Sequence, residues 1–145
     1  MMELDDRIYA EVKKLSAEGN ELFEQDRFEE AIEKFESAYH LLPEPRHQWE
    51  ASSWIQAGAG DAYFFAGNYQ EAYDHFSLAL RSAGGMDTGF VWLRIGQSMF
   101  ELKLDEKKTL DALLSAYMME GEKIFDDEDE KYFNFLKENV DLRSK

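Results

Sequence analysis

The sequence contains no cysteine among its 145 residues, which excludes several kinds of protein. Without thiols the chain has no disulfide framework, no thiolate zinc site and no cysteine nucleophile. It also lacks any run of about 18 apolar residues, the length that a membrane-spanning helix needs. Residues 1–6 are acidic rather than basic and lead into no apolar segment, so we expect no secretory signal. These absences predict a soluble, cytoplasmic protein.

Positive charge is scarce as well. The chain has 16 lysines and arginines against 31 aspartates and glutamates, which gives a net charge of −15. Such a surface repels the phosphates of nucleic acids and the headgroups of anionic membranes, and it attracts basic proteins. We therefore expect no binding of nucleic acid or membrane, and a protein or peptide partner of basic character.

Proline is rare, and the only two are Pro43 and Pro45. Apolar residues recur at helical intervals along nearly the whole chain, and no segment alternates as a strand does. We predict one helix from Leu4 to Gln25 and a second from Phe28 to Leu42, which the prolines end. Residues 46–52 are predicted to extend the start of the next helix.

Three stretches repeat one pattern of small and large residues, and each begins at a glycine. The first two copies have identical spacings: Gly19, Phe23, Phe28, Ala31, Phe35 and Ala38, and Gly60, Phe64, Tyr69, Ala72, Phe76 and Ala79. The third is Gly96, Phe100, Thr109, Leu113 and Ala116, which fits if one extra residue lies in the turn at Leu104 and Asp105. A repeat of roughly 34 residues with this content is typical of stacked helical hairpins, because small residues let paired helices approach closely. An all-α fold is therefore predicted.

With these motifs the chain resembles the tetratricopeptide repeat (TPR) proteins. The residues that carry the resemblance are Gly19, Leu22, Phe28, Ala31, Phe35, Ala38 and Pro43, then Gly60, Tyr63, Tyr69, Ala72, Phe76 and Ala79, then Trp92, Gly96, Leu113 and Ala116. Thr109 departs from the pattern, since alanine is usual there. The resemblance implies a right-handed stack of three hairpins, at about residues 12–45, 53–86 and 89–122, with a capping helix at about 128–141. The chain, residues 1–145, is then a single domain.

Three short stretches narrow the resemblance further. Residues 60–65, 116–121 and 132–137 are similar to small free-standing bacterial TPR proteins, some of which belong to toxin and immunity systems. The resemblance thus implies a binding protein, with inhibition of a cognate toxin as its most specific form.

In the TPR family the first helix of each hairpin lines a concave groove, and the groove positions of this chain can be listed on that basis. The candidate partner-binding residues are Lys13, Asn20, Phe23, Trp54, Asp61, Phe64, Phe65, Phe90, Arg94, Gln97 and Phe100. The aromatic members are of the type that anchors a partner. Asn20, Asp61 and Gln97 occupy equivalent repeat positions and can hydrogen-bond a partner's backbone. The alternative is that the aromatic residues pack between hairpins or beneath the terminal helix.

The family's known grip on a terminal carboxylate, a clamp of lysines and asparagines, is not supplied here. Only Lys13, Asn20 and Arg94 of the groove positions have suitable chemistry, so a receptor for chaperone tails is disfavoured.

Catalytic and metal-binding patterns are missing. His40, His47 and His75 lie on separate predicted helices without a second histidine at a metal-binding interval. The acidic run 126–130 lacks the glycine and distant glutamate of a calcium loop, so we interpret it as a solvated helix start. We expect no enzyme activity, no metal and no cofactor.

Three hypotheses for function follow. The first is a non-catalytic interaction module that binds a basic or amphipathic segment of a partner, including a toxin. The second is an adaptor or assembly chaperone that holds a client peptide. The third is a structural subunit that self-associates through an apolar face such as Trp49 and Trp54, although the charge of −15 favours a monomer or a weak dimer.

Overall fold

The computed structural model describes residues 3–143, and within this range the chain is entirely helical apart from its connections. Its α-helices are α1 (Asp6–Glu24), α2 (Phe28–Leu41), α3 (Glu50–Phe65), α4 (Tyr69–Arg81), α5 (Gly89–Leu102), α6 (Glu106–Glu120) and α7 (Glu130–Asn139). Short 3₁₀ turns lie at Arg46–Gln48, Gly85–Asp87 and Glu122–Phe125. The helices pair as three antiparallel hairpins, α1–α2, α3–α4 and α5–α6, and α7 follows.

The turns inside the three hairpins share one left-handed residue at the same place. These residues are Asp26 (φ 60°), Gly67 (φ 84°) and Lys103 (φ 56°). In the first two hairpins the next residue, Arg27 or Asn68, is the N-cap of the following helix. In the third hairpin Leu104 intervenes and Asp105 is the N-cap, which confirms the predicted extra residue. The Asn68 side chain accepts the Glu71 N–H at 3.4 Å, as an N-cap side chain does.

The repeat glycines mark the places where paired helices come closest. A Cβ atom would lie 2.9 Å from Phe35 if added to Gly19, 2.8 Å from Phe76 if added to Gly60, and 2.6 Å from Leu113 if added to Gly96. Distances this short leave no room for a side chain, so each hairpin closes on a glycine. Ala31 and Ala72 have no exposed surface, and Thr109, in the third equivalent position, is 2% exposed.

Two layers of helices make up the stack. The first helices form an inner layer, in which α1 contacts α3 and α3 contacts α5, whereas contacts among the second helices are weaker. The closer spacing of the inner layer gives the stack its concave side. The core lies between the layers, with one cluster around Phe35 and Ile55 and another around Phe76, Leu113 and Leu136.

The predicted helical extension over residues 46–52 holds for residues 50–52 and is wrong for residues 46–49. Residues 46–48 form a 3₁₀ turn, Trp49 is extended, and α3 begins at Glu50. The Trp49 indole N–H donates to the Pro43 carbonyl at 2.8 Å, so the tryptophan folds back on the end of the first hairpin. This contact positions Trp49 outside the α3 helix.

Helix α7 covers the third hairpin as the sequence predicted. Leu136 has no exposed surface, and Tyr132 is 5% exposed. The Phe133 ring stacks on Phe125 at 4.8 Å and on Tyr117 of α6 at 6.2 Å. The α7 rings also reach α5, because Tyr132 and Phe135 meet the Phe100 ring edge-on at 5.4 and 5.1 Å.

Candidate functional site

An aromatic strip runs along the open face of α3. Trp54 is 40% exposed and Phe65 is 50% exposed. Their separation in sequence corresponds to about three helical turns, so the two side chains lie on one face about 16 Å apart. Ala57, which is half-buried, and Asp61 lie between them on the same face. Large exposed aromatic residues at both ends of a strip of smaller ones offer two anchor points to a ligand.

Next to this strip, an open cleft of about 440 Å³ separates the N-terminal halves of α3 and α5. Trp54 and Ala57 line it from α3, and Phe90 lines it from α5. Glu50, which is exposed, and Ser53 also line it, as do Ala83 and Gly84 of the connection after α4. The lining is therefore mostly apolar or small and carries one carboxylate, that of Glu50.

A buried arginine lies at the other end of the strip. Arg94 Nε donates to Asp61 Oδ1 at 2.8 Å, and Arg94 Nη1 donates to Glu128 Oε1 at 2.5 Å and to Gln97 Oε1 at 2.7 Å. Gln97 Nε2 in turn donates to Glu128 Oε1 at 2.8 Å. The Arg94 side chain is only 6% exposed, so this network joins α3, α5 and the segment before α7 through the interior.

Burial changes the acidity of Asp61 in this network. It raises the pKa of Asp61 above its ordinary range, against the opposing effect of the Arg94 charge, and the nearby Glu128 carboxylate raises it further. Two carboxylates share one guanidinium, so the network is net negative when both are ionised. Its charge therefore adds to the acidity of the inner face.

Three aromatic rings surround the same guanidinium. The centre of the Arg94 guanidinium lies 4.7 Å from the ring of Phe90, 5.2 Å from Phe65 and 5.3 Å from Phe64. Phe64 is 8% exposed and contributes to the core, whereas Phe65 keeps half of its surface open. The Arg94 guanidinium thus packs among the three rings and supports the half-exposed Phe65 ring by a cation–π contact.

The C-terminal third of the predicted groove is covered. Gln97 has no exposed surface, so its side chain does not face a partner. Phe100 lies beneath Tyr132 and Phe135. The interpretation of residues 126–130 as a solvated helix start fails for Glu128, whose side chain is 15% exposed and pairs with Arg94. The physical reason is that an arginine buried in α5 needs carboxylates to compensate its charge.

The N-terminal third of the groove is open. Lys13 and Asn20 are exposed on α1, and the Lys13 ammonium lies 5.3 Å from the Tyr9 ring. Phe23 is half-buried and meets the Phe65 ring edge-on at 5.6 Å. The aromatic surface of α3 therefore continues onto the end of α1.

A second polar contact ties α7 to α5. The Tyr132 hydroxyl donates to Glu101 Oε2 at 2.5 Å, and the Lys131 ammonium lies 2.7 Å from the same oxygen. Burial of the hydroxyl, its hydrogen bond to Glu101 and the negative charge of that carboxylate raise the pKa of Tyr132 well above its ordinary value. Sequence reasoning missed both this contact and Glu128, and the arginine within the apolar run of α5 was the one signal for the latter.

Residues 3–143 contain no group of three or more metal-ligating side chains and no helix long and apolar enough to cross a membrane. His40 and His75 each contact a backbone carbonyl one turn earlier in their own helix, those of Glu36 and Glu71, at 2.7 and 2.8 Å.

Comparison with known proteins supports the fold. No family model and no curated protein matches the chain. Among solved structures, the first TPR of Spaghetti (RPAP3), bound to the HSP90 peptide SRMEEVD, superimposes with a TM-score of 0.69 and 17% identity, covering 89% of this chain and 92% of that one. The Sgt2 TPR domain from Aspergillus fumigatus gives a TM-score of 0.66 and 20% identity, covering 88% of this chain and 76% of that one. The chain has the fold of a TPR domain, and the predicted all-α stack is confirmed.

Proposed function

We propose that this protein is a non-catalytic interaction module whose inner surface binds a basic, amphipathic segment of a partner protein. The observation that carries the proposal is the pair of exposed aromatic residues on α3, Trp54 and Phe65, at the two ends of an open strip. Rigid aromatic side chains on a helical scaffold supply binding energy at little cost in conformational entropy.

The negative charge of the inner surface favours a basic partner over an acidic one. The peptide bound to the Spaghetti domain, SRMEEVD, is acidic. In this protein Glu50 lies at the cleft, Asp61 and Glu128 lie below the strip, and the only arginine among the groove positions is already paired with them. The net charge of −15 acts over the whole surface in the same sense. An acidic peptide is therefore repelled here, whereas lysines and arginines of a partner are attracted.

Geometry favours an amphipathic segment. The anchors are about 16 Å apart, so a partner helix that lies along α3 brings apolar residues about three turns apart onto Trp54 and Phe65. Flanking lysines or arginines of that helix would then face the acidic surroundings. The surface of a nucleic-acid-cleaving toxin has suitable charge, and an inhibitor of such a toxin is the most specific form of this proposal.

Self-association through Trp49 and Trp54 has less support. The Trp49 indole is hydrogen-bonded to Pro43 and the ring is half-buried, so it does not add a second exposed ring to the strip. A client-holding adaptor would use the same anchors as the proposed module and differs only in the partner.

The experiment starts from capture of a partner with the wild-type protein at low salt, followed by kinetics with the purified partner. Trp54→Ala should raise the dissociation rate constant roughly 30-fold, which corresponds to about 2 kcal/mol for an anchor residue. Met118→Ala is the matched control, since Met118 is 73% exposed on α6, outside the inner layer, and its loss should leave the rate unchanged.

The salt dependence of the rate constants separates long-range electrostatic attraction from the contacts of the anchor residues. Added salt should slow association of the wild type and of both variants alike, because it screens the acidic field. Binding that ignores salt and survives the loss of both Trp54 and Phe65 would contradict the proposal. Circular dichroism of each variant must first show the wild-type helical signal.

A further inference from the structure

The outer layer of the stack has a cleft of about 720 Å³ between α2 and α4, the outer cleft, which residues 44–47 and Ser52 of α3 also line. Its lining carries three basic side chains, Arg46, His47 and Arg81, and one acidic side chain, Glu44. Counted as the net charge of −15 is counted, with histidine neutral, the lining has two arginines against one glutamate, so it is positive whereas the whole chain is negative.

Arg46 is fixed in the cleft wall. Its guanidinium lies 5.4 Å from the centre of the Tyr39 ring, and its Nη1 contacts Glu44 Oε1 at 2.9 Å. Its Nε is buried and has no acceptor among residues 3–143. Nε has almost no accessible surface, so the part of Arg46 that an oxyanion in the cleft can reach is the 26% of its side chain that remains exposed. The Glu44 side chain is 76% exposed, which makes its hold on Nη1 weak and exchangeable.

A backbone hydrogen bond joins the two segments that carry the other two basic residues, His47 and Arg81. The Ala83 N–H donates to the His47 carbonyl at 3.0 Å, which joins the 3₁₀ turn 46–48 to the end of α4. Arg81 is the last residue of α4, is exposed, and forms no ion pair in the part of the chain that the structure describes. The turn and the helix end thus present their side chains to one cleft as a unit.

From this arrangement we propose that the outer cleft binds the phosphate group of a phosphate monoester. Arginine guanidinium groups match phosphate oxygens with paired N–H donors. A phosphate monoester carries nearly two negative charges and three acceptor oxygens, whereas a carboxylate carries one charge and two oxygens. Three basic side chains around one cleft fit the phosphate better. The lining of this cleft shares no residue with that of the inner cleft beside Trp54, although Ser52 and Ser82 of the one are next in sequence to Ser53 and Ala83 of the other.

The test is a titration of the isotope-labelled protein with inorganic phosphate, followed by NMR against sodium chloride of equal ionic strength. Shifts should be confined to the backbone of residues 44–48 and 78–83 and to the Arg46 Nε–H signal. Arg81→Gln should weaken phosphate binding at least about tenfold, as expected for loss of a charge-assisted hydrogen bond. Arg7→Gln, which removes the same charge from an exposed position on α1, should leave the affinity unchanged.

A second variant and two further probes complete the test. Arg46→Lys keeps the positive charge but loses the paired N–H donors of the guanidinium, so it should also weaken phosphate binding. Succinate should bind more weakly than phosphate, and equal binding would overturn the assignment to phosphate. Tighter binding of glycerol phosphate or of a phosphoserine tripeptide would support the proposal and distinguish a small metabolite from a modified protein. Shifts spread over the surface, or an Arg81→Gln variant that binds like the wild type, would overturn it.

Discussion

Asn20, Asp61 and Gln97 occupy the same position in three successive repeats, yet their exposure to solvent differs. Asn20 is exposed on α1, Asp61 is partly buried on α3, and Gln97 on α5 has no exposed surface. The gradient follows the stack from its N-terminal to its C-terminal end. It arises because the chain after α6 returns over the third hairpin and brings Glu128 onto Arg94.

The inner face therefore has two regions with different roles. The region made by α1, α3 and the start of α5 is open and offers Trp54 and Phe65, whereas α5 from Arg94 onward is closed by the polar network and by α7. In a repeat protein, the position within the repeat fixes which side of the helix a residue occupies. What covers that side depends on the place of the repeat in the stack.

The strongest way to break this comparison is to remove the centre of the closed region. Arg94→Ala leaves Asp61 and Glu128 buried without their common partner, and we expect a loss of about 3–5 kcal/mol in the free energy of unfolding. Urea denaturation followed by circular dichroism measures it. Lys13→Ala, on the open region, should change stability by less than about 0.5 kcal/mol. Equal small effects of both variants would contradict the distinction.

The second prediction concerns the close helix crossing that recurs in all three repeats, in the open and the closed region alike. Ala72 has no exposed surface and lies at a close helix crossing, so Ala72→Leu should overpack it and cost about 1–3 kcal/mol. Thermal unfolding is the measurement. Ala66→Leu, at the exposed C-cap position that follows α3, is the control and should leave the melting temperature nearly unchanged. An unchanged melting temperature for Ala72→Leu would show that the second repeat is misaligned.

The equivalent polar positions provide a direct pair. Gln97→Ala removes a hydrogen bond from Arg94 and another to Glu128 and should destabilise the protein by about 1–2 kcal/mol. Asn20→Ala, at the same place in the first repeat, should stay within about 0.5 kcal/mol of the wild type. The difference between the two unfolding free energies is the quantity to compare. A larger loss for Asn20→Ala would reverse the assignment of open and closed regions.

The smallest effect concerns pH. The folded chain keeps the Tyr132 proton above the ordinary pKa of about 10, while the unfolded chain releases it. The folded state then binds more protons, so the contribution of Tyr132 to stability falls as the pH rises above 10, by no more than about 1.4 kcal/mol per pH unit. Tyr132→Phe should reduce the dependence of the unfolding free energy on pH, measured by urea denaturation between about pH 9 and about pH 11. Tyr9→Phe, at an exposed tyrosine, should not.

The sequence was sufficient to predict the parts of the fold that depend on local pattern. The close approach at the glycines 19, 60 and 96 and the extra residue in the turn of the third hairpin follow from spacing within one repeat. The Arg94 network was not predictable in the same way, since Glu128 lies 34 positions further along the chain in an acidic run with no periodic signal. Trp49 was misassigned to a helix because its hydrogen bond to Pro43 outweighs its place in the apolar pattern. Long-range polar contacts of this kind are fixed by tertiary packing.

The most direct test of the two-region account is hydroxyl-radical footprinting of the free protein and of its complex with the captured partner. In the free protein, Trp54 and Phe65 should be oxidised readily, whereas Phe64 and Phe100 should be protected. On binding, oxidation of Trp54 and Phe65 should fall and that of Met118 should stay constant. Unchanged oxidation of Trp54 and Phe65 in the complex, together with new protection of Met118 or of the outer helices, would contradict the account.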